Sequence, residues 1–431
     1  MGSIGFWNLF IVTLSAVGSG PAGIEGIVGA GGLSVGVAAI VVFPFIWGYV
    51  QAFVAVKLAE KHPQNGGAFL WCLESLGAPV GINVGIWAVL VNCSTAAFVS
   101  ELTSEYVATV LPFHKTYVSQ LELTVATVLL SFLINVVSVD FMCRAFWFIT
   151  LHSVVVFAIL SAYALPKMSS DRFENPGTTL RHTDWALLLN LLIFNCAGFD
   201  SAASVAGQMV NGRKIFPRVV LAVSLVISSW FILTLVFTFL ATRDPYQNWH
   251  AGFFSTVALE LAGPWLQVWV VIACSLINVQ TFSSSFLTAY VVTAAMAERG
   301  FVPRSLARRN RGGQPVRAMV ACCVVSILFA LLPYKENLAV ESMLYVLIML
   351  AEVACFLSMS TNPSPWRRRA FVIPVLLLSS IVLFIQKRAA LVVTGFVLLV
   401  VAVCTPLLPR LPGVCLQAVD PAAYHSRLVS L

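Results

Sequence analysis

Charged residues are scarce in this sequence. Only 10% of its 431 residues are Asp, Glu, Lys or Arg, whereas 59% are hydrophobic and the mean hydropathy is +0.92. Soluble domains carry about 25% charged residues, so this chain has too few of them to cover a soluble globule. A lipid-exposed chain satisfies its backbone by forming helices. The composition therefore predicts a protein that crosses the lipid bilayer several times, and we expect its fold to be all-α.

Motifs for metal binding and catalysis are also lacking. The ten cysteines form no C-x-x-C pair and no Cys/His spacing typical of zinc. No clustered nucleophile, base or metal ligand indicates an enzyme. The start of the chain lacks the basic segment and cleavage site of a secretory signal, so we expect the first hydrophobic segment to be retained. We expect no cofactor, no metal and no enzymatic activity, and nothing indicates an obligate protein partner.

Long hydrophobic runs dominate what is present, and a spanning helix takes about 20 residues. We predict about twelve spans, at 6–32, 35–58, 79–108, 121–139, 145–165, 185–210, 217–241, 264–295, 317–333, 338–360, 370–386 and 389–409. With a cytoplasmic N-terminus, 17 of the 25 Lys and Arg residues fall on the cytoplasmic side, in agreement with the positive-inside rule. The net charge of +7 thus reflects topology, and we expect no nucleic-acid binding.

Two of the predicted spans are interrupted. Span 1 contains Gly-Ser-Gly-Pro-Ala-Gly at 18–23, and span 6 contains Phe-Asn-Cys-Ala-Gly-Phe-Asp-Ser at 194–201. The two positions correspond if residues 1–165 and 166–362 are inverted five-helix repeats, followed by two more spans in 363–431. Backbone freed from helical bonding within a bilayer must line a cavity or be buried in protein, and matched interruptions indicate a transporter site near the midplane. A glycine packing motif with a proline kink is the alternative.

The interruptions carry polar side chains that are costly in a membrane. Pro21 disfavours helix at the preceding residue, so a new half-helix should start near Ala22 and place Glu25 in its first turn, where the helix dipole favours a carboxylate. Acids inside a membrane are functional candidates by default. Glu25 could instead be a structural hydrogen-bond partner, and Asp200 could cap the second half of span 6.

Span 10 adds two acids and a tyrosine on one helix face, since Glu341, Tyr345 and Glu352 are spaced i, i+4 and i+11. We place Glu341 near the outer interface and Glu352 deeper. Helix–helix hydrogen bonding is the competing explanation. We predict substrate contacts from these residues: Gly18, Ser19, Gly20, Ala22, Gly23, Glu25, Asn195, Phe199, Asp200, Ser201, Tyr345 and Glu352.

The predicted mid-span charges are acidic, with no Lys or Arg among them, which favours a cationic solute. An aromatic ring such as Phe199 beside Asp200 suits an organic ammonium. Ser283 and Ser284 could accept a sodium ion together with span 1 carbonyls, although small polar residues also pack helices. His152 could carry a coupling proton, or it could be a structural histidine.

Five segments, in this order, resemble the amino acid–polyamine–organocation superfamily. They are GPAGIEGIVGAGG, FPFIWGYVQAFVAVKLAEKHPQNGGAFLW, GFDSAASVAGQMVNGRKIFPRVV, AERGFVPRSLA and ESMLYVLIMLAEVACFLSM with RRRAFVIP. Within it, the chain is most similar to the polyamine:proton symporters of plants and protozoa, near the L-type amino acid transporters. The resemblance implies a LeuT-type 5+5 inverted-repeat fold with broken helices 1 and 6, substrate contacts at both breaks and uptake driven by a proton gradient.

The chain departs from that branch in its acids. The resemblance leads one to expect carboxylates near Thr95 in span 3, near Ser283 in span 8 and at Gln208 after span 6, and none stands there. We nevertheless predict a multi-pass plasma-membrane transporter that imports polyamines such as putrescine or spermidine with protons. A carrier of cationic or neutral amino acids with the same fold is the alternative, and a non-transporting receptor is the candidate from another class.

Overall fold

The computed structural model describes residues 5–62, 64–111, 117–169, 180–203, 212–310, 312–359 and 365–386, together with Leu391 and Gly395. Its regular secondary structure is helical, and no strand occurs in these residues. The α-helices are α1 (Phe6–Gly18), α2 (Glu25–Phe43), α3 (Tyr49–Lys61), α4 (Ala68–Leu76), α5 (Ala78–Ala108), α6 (Tyr117–Val137), α7 (Val139–Ala164), α8 (Trp185–Cys196), α9 (Phe199–Ala203), α10 (Gly212–Ala241), α11 (Phe253–Ala262), α12 (Pro264–Glu298), α13 (Val316–Phe329), α14 (Tyr334–Ser358) and α15 (Pro365–Ile385).

Seven helical stretches within the described residues are long and apolar enough to cross a membrane. One of them, Glu25–Lys61, has 37 residues, more than a single span needs. Gly32 interrupts it with non-helical dihedrals, φ 72° and ψ 174°, which glycine adopts without steric cost. The boundary predicted between the first two spans therefore falls at this residue, and a π-helical turn, Pro44–Gly48, joins α2 to α3.

Most predicted spans coincide with helices to within a few residues. The largest difference is at α7, which begins at Val139 rather than at 145 because Ser138 caps it, accepting a hydrogen bond from the Phe141 amide at 3.1 Å. The short helices α4 and α11, of 9 and 10 residues, were not among the predicted spans. The predicted span at 389–409 lies outside the described residues except for Leu391 and Gly395.

The helices pack in two groups. Helices α1, α2 and α3 contact α8, α9 and α10, whereas α5, α6, α12 and α13 contact one another, with α5 and α12 forming the most extensive pair. Helix α14 lies against both groups, touching α3 and α8 on one side and α5 on the other. The interrupted helices thus share one group, which contacts α14 and, through α1 and α9, also contacts α12 of the second group.

An ionic cluster outside the candidate spans joins the ends of three helices. The Glu74 carboxylate on α4 lies 2.5 Å from His62 Nδ1 after α3 and 3.6 Å from Arg299 Nη2 after α12. The hydrogen bond from His62, reinforced by the positive charge of Arg299, lowers the pKa of Glu74. Arg299 also donates to Gln64 at 2.8 Å, so the cluster fixes the loop between α3 and α4 against α12.

Candidate substrate site

The first interruption separates α1 from α2. Helix α1 ends at Gly18, and α2 begins at Glu25, three residues later than the predicted start near Ala22. The physical reason is the backbone of Gly23, whose φ of 90° is incompatible with a right-handed helix. The position of the break and the placement of Glu25 in the first turn of α2 are confirmed.

The second interruption separates α8 from α9. Helix α8 ends at Cys196, Ala197 is extended, and Gly198 has a φ of 107° before α9 starts at Phe199. A Cβ built on Gly198 would lie 2.4 Å from the carbonyl oxygen of Ala16, so only glycine allows this approach to α1. The two interruptions predicted from the sequence therefore lie against each other in space.

Tyr345 of α14 bridges the second interruption. Its hydroxyl accepts a hydrogen bond from the Gly198 amide at 2.7 Å and donates one to Asp200 Oδ1 at 2.6 Å. The Gln51 amide of α3 donates to the same carboxylate oxygen at 2.7 Å and also contacts the Tyr345 hydroxyl. All three side chains are buried. This network supplies partners to backbone and carboxylate groups that the break exposes inside the bundle.

A small cavity, of about 50 Å³, opens beside this network. Its wall comes from α1, α5, α8, α9, α12 and α14 and consists of Ala16, Val91, Asn92, Thr95, Ile193, Phe194, Ala197, Gly198, Ser201, Thr281, Ser285, Glu341, Ser342 and Tyr345. Glu341 is the one acidic side chain among them, and no Lys, Arg or His occurs in this lining. The cavity thus combines apolar walls with a few convergent polar groups, as small-molecule sites commonly do.

Glu341 of span 10 is 8% exposed and lines the cavity. Its position near the outer interface stays a prediction, but its side chain is not solvated there. Its Oε1 accepts a hydrogen bond from Thr95 of α5 at 3.1 Å, whereas Oε2 has no partner among the described residues. The i, i+4 spacing with Tyr345 was the signal that could have placed it at the site.

The predicted substrate residues divide into those that the cavity brings together and those that it does not. Ser201 and Tyr345 line it. Phe199 instead lines a smaller apolar pocket between α2, α8 and α10. Asn195 bonds back to the Leu191 carbonyl at 2.9 Å. Glu352 is fully buried, lies outside the cavity lining, and has no hydrogen-bond partner in the described part of the chain.

None of the residues of the interruption in span 1, at 18–23, is in the cavity lining, whereas Ala16 just before it is. Ser19, in that interruption, accepts a hydrogen bond from Thr281 on α12 at 2.9 Å. Glu25 accepts hydrogen bonds from the Gly23 amide at 3.0 Å, the Gly252 amide at 2.8 Å and the Tyr106 hydroxyl. Three donors offset the desolvation of a buried carboxylate. This geometry corresponds to the structural alternative for Glu25.

The residues considered for ion coupling lie on α12 and α7. Ser284 donates to the Val12 carbonyl of α1 at 3.3 Å, and Ser283 is buried without a side-chain partner among the described residues. Gln280 of the same helix donates to Ser15 at 2.7 Å. The ring of His152 contacts that of Trp269 edge to face, with the ring centroids 6.4 Å apart, and His152 is not in the cavity lining. The described residues contain no group of three or more His, Cys, Asp or Glu placed to hold a metal.

Paired helix interruptions around a buried polar cavity define a class of membrane carriers. The chain belongs to the amino acid permease family, whose profile matches residues 4–414. It is therefore a multi-pass membrane transporter and not an enzyme, which confirms the predicted resemblance.

Several plant proteins are similar over most of the chain. A protein named as a probable polyamine transporter from Arabidopsis thaliana is 27% identical over 360 residues, covering 83% of this chain and 72% of the relative. A second Arabidopsis polyamine transporter is 27% identical over 389 residues, with 90% and 79% covered. A polyamine transporter of Oryza sativa subsp. japonica is 29% identical over 355 residues, with 81% and 65% covered.

Proposed function

We propose that this protein is a secondary transporter that imports polyamines such as putrescine and spermidine, driven by a proton gradient. The observation that carries the proposal is the cavity where the interrupted helices meet. Glu341 lines it, and Asp200 lies behind Tyr345 at its wall, whereas no basic side chain occurs in its lining. Acidic groups in a membrane-embedded cavity favour an organic cation. The names of the plant relatives support the same substrate class.

The proposed architecture has twelve spans in a LeuT-type arrangement. Residues 1–165 and 166–362 would form two inverted five-helix repeats, and 363–431 would add the last two spans. The interruptions between α1 and α2 and between α8 and α9 support this division. In alternating access, the group formed by α1–α3 and α8–α10 would move against the group of α5, α6, α12 and α13. The bias of basic residues supports a cytoplasmic N-terminus, and we assign the protein to the plasma membrane.

Within this proposal, Ser201 and Tyr345 contact the substrate directly. The other residues of the two interruptions affect the substrate indirectly, because they set the backbone conformation at the breaks or hold the residues that line the cavity. They are Gly18, Ser19, Gly20, Ala22, Gly23, Asn195, Phe199 and Asp200. Glu25 and Glu352 are acids held behind the cavity lining. We propose His152 as the residue that carries the coupling proton, with sodium coupling through Ser283 and Ser284 as the alternative.

A carrier for cationic or neutral amino acids is the second candidate. Membership in the amino acid permease family favours it, as does the absence of acids at Thr95, Ser283 and Gln208. Such a substrate would place its carboxylate against amide groups at the helix interruptions.

Uptake into proteoliposomes separates the two candidates. We expect labelled putrescine to accumulate when an inward proton gradient is imposed, to leak out when the gradient is collapsed, and to be displaced by excess spermidine but not by leucine or arginine. Accumulation of an amino acid in the same vesicles, without putrescine uptake, would overturn the polyamine proposal and support the second candidate. Binding of putrescine without accumulation would indicate a receptor.

A further inference from the structure

The unsatisfied polar atom at the cavity is an acceptor. Glu341 is more than nine-tenths buried, Thr95 occupies its Oε1 at 3.1 Å, and Oε2 has no partner among the described residues. An ionised carboxylate oxygen can only accept hydrogen bonds, and leaving it unpaired in a buried site is costly. When Glu341 is ionised, the group that completes this site is therefore a donor, and a positively charged donor forms the strongest bond.

Two amide donors at the interruptions are already occupied by the protein itself. Half-helix N-termini of this kind bind anionic substrate groups in transporters. Here the Gly23 amide donates to the Glu25 carboxylate at 3.0 Å, and the Gly198 amide donates to the Tyr345 hydroxyl at 2.7 Å. A substrate carboxylate would find neither donor free, and it would approach Glu341 with like charge.

We propose that Glu341 and Thr95 form a subsite for a primary ammonium group, and that the cavity selects amines over the amino acids that differ from them by one carboxylate. This inference rests on the proposed function, because the subsite lies within the same cavity. The carboxylate of Glu341 attracts the ammonium group, and the amides of Gly23 and Gly198 are not free to bind a substrate carboxylate.

The subsite also has a direction along α14. Glu341 and Tyr345 are four residues apart, a rise of about 6 Å at 1.5 Å per residue. A diamine bound at Glu341 can therefore extend toward the Tyr345 end of the cavity, where Asp200 accepts the hydroxyl hydrogen bond. A short monoamine reaches only the Glu341 end, so we expect diamines to bind more tightly than monoamines of the same carbon number.

Matched pairs of competitors test whether the cavity selects amines over the corresponding amino acids. Cadaverine differs from lysine, and agmatine from arginine, by the α-carboxylate alone. Against labelled putrescine uptake by the wild-type protein in proteoliposomes, we expect each amine to inhibit at a concentration at least about tenfold lower than its amino acid, a factor that corresponds to about 1.4 kcal/mol. Equal inhibition by both members of each pair would overturn the selection rule.

Isosteric variants test the subsite. In Glu341→Gln, we expect the Michaelis constant for putrescine to rise roughly tenfold to a hundredfold, as loss of a charged hydrogen bond predicts. The control Glu260→Gln, which removes an exposed acid from α11, should leave it unchanged. Thr95→Val should cause a smaller rise, because it removes only the hydroxyl that orients Glu341.

Thermal unfolding of the purified proteins gives a readout that does not depend on transport. Putrescine should raise the unfolding midpoint of the wild type and of Glu260→Gln, and this rise should be lost in Glu341→Gln. If the wild type accumulates putrescine and Glu341→Gln retains both its Michaelis constant and its ligand-induced shift, the subsite is wrong while the proposed function stands. If the wild type neither binds nor accumulates putrescine, the proposed function fails and the subsite fails with it.

Discussion

Tyr345 connects two groups that the second interruption leaves in need of partners, the Gly198 amide and the Asp200 carboxylate. Its hydroxyl accepts from the Gly198 amide and donates to Asp200, while the Gln51 side chain contacts both the hydroxyl and the carboxylate. A hydrogen bond in the protein interior is stronger than one in water, and its loss leaves a costly unpaired polar group. The single oxygen atom of this tyrosine therefore holds α9 in register with α14 and fixes the edge of the cavity.

Removal of that oxygen tests its role. Tyr345→Phe leaves the Gly198 amide without its acceptor and removes one of the hydrogen bonds to Asp200. We expect the free energy of unfolding to fall by about 1–3 kcal/mol and putrescine uptake to decrease. Thermal unfolding and initial uptake rates measure the two effects. The control Tyr163→Phe alters a 43% exposed side chain on α7 and should change neither. Wild-type stability and uptake in Tyr345→Phe would refute the bridging role.

The acid at the cavity shows how far single residues could be predicted. The sequence placed Glu341 on one face with Tyr345, because helical spacing is readable directly. Its depth was not readable, since the start of α14 at Tyr334 and its tilt are set by packing against other helices. The acid expected near Thr95 is absent from that helix, yet the carboxylate of Glu341 contacts the Thr95 hydroxyl from α14.

At the scale of elements, the two interruptions are joined backbone to backbone. Gly198 approaches the carbonyl of Ala16 at the end of α1 so closely that no Cβ fits between them. The wall of the cavity is formed at this crossing, where Ala16, Ala197 and Gly198 all contribute to the lining. Small residues are required here because a side chain would separate α1 from α9.

A single methyl group tests that crossing. In Gly198→Ala, the Cβ would lie 2.4 Å from the Ala16 carbonyl oxygen, and the φ of 107° is strained for alanine. We expect transport to be abolished and the unfolding midpoint to fall. Gly5→Ala is the matched control, because a Cβ at that position meets no atom within 4 Å. Normal uptake by Gly198→Ala would show that the contact between the interruptions is dispensable.

The interruptions themselves were predictable, whereas the contacts that hold them were not. Glycine and proline within apolar segments mark breaks in any sequence, and both breaks fall where they were expected. Two partners of Glu25, by contrast, are distant in sequence: the Tyr106 hydroxyl on α5 and the Gly252 amide, 227 residues away on a turn before α11. No local sequence pattern predicts these hydrogen bonds, because they depend on how α2, α5 and α11 pack together.

At the scale of the whole molecule, the cavity lies where two helix groups meet. One group contains both interruptions, the other contains α5 and α12, and α14 contacts both groups. Relative movement of two such groups exposes a central site to one side of a membrane and then to the other. We therefore propose that the transported solute binds in the cavity between them.

Substrate protection of a cysteine placed in the cavity tests that claim most directly. Ser201 lines the cavity, and Ser201→Cys would be made in a protein whose Cys323, Cys404 and Cys415 are replaced by serine. Putrescine at tenfold its dissociation constant should slow labelling by 2-aminoethyl methanethiosulfonate by about tenfold. The control Ser305→Cys, in the exposed 3₁₀ turn Arg304–Ala307, should react at the same rate with and without putrescine. Labelling of Ser201→Cys at the same rate with and without bound putrescine would contradict the account, because the solute would then bind elsewhere.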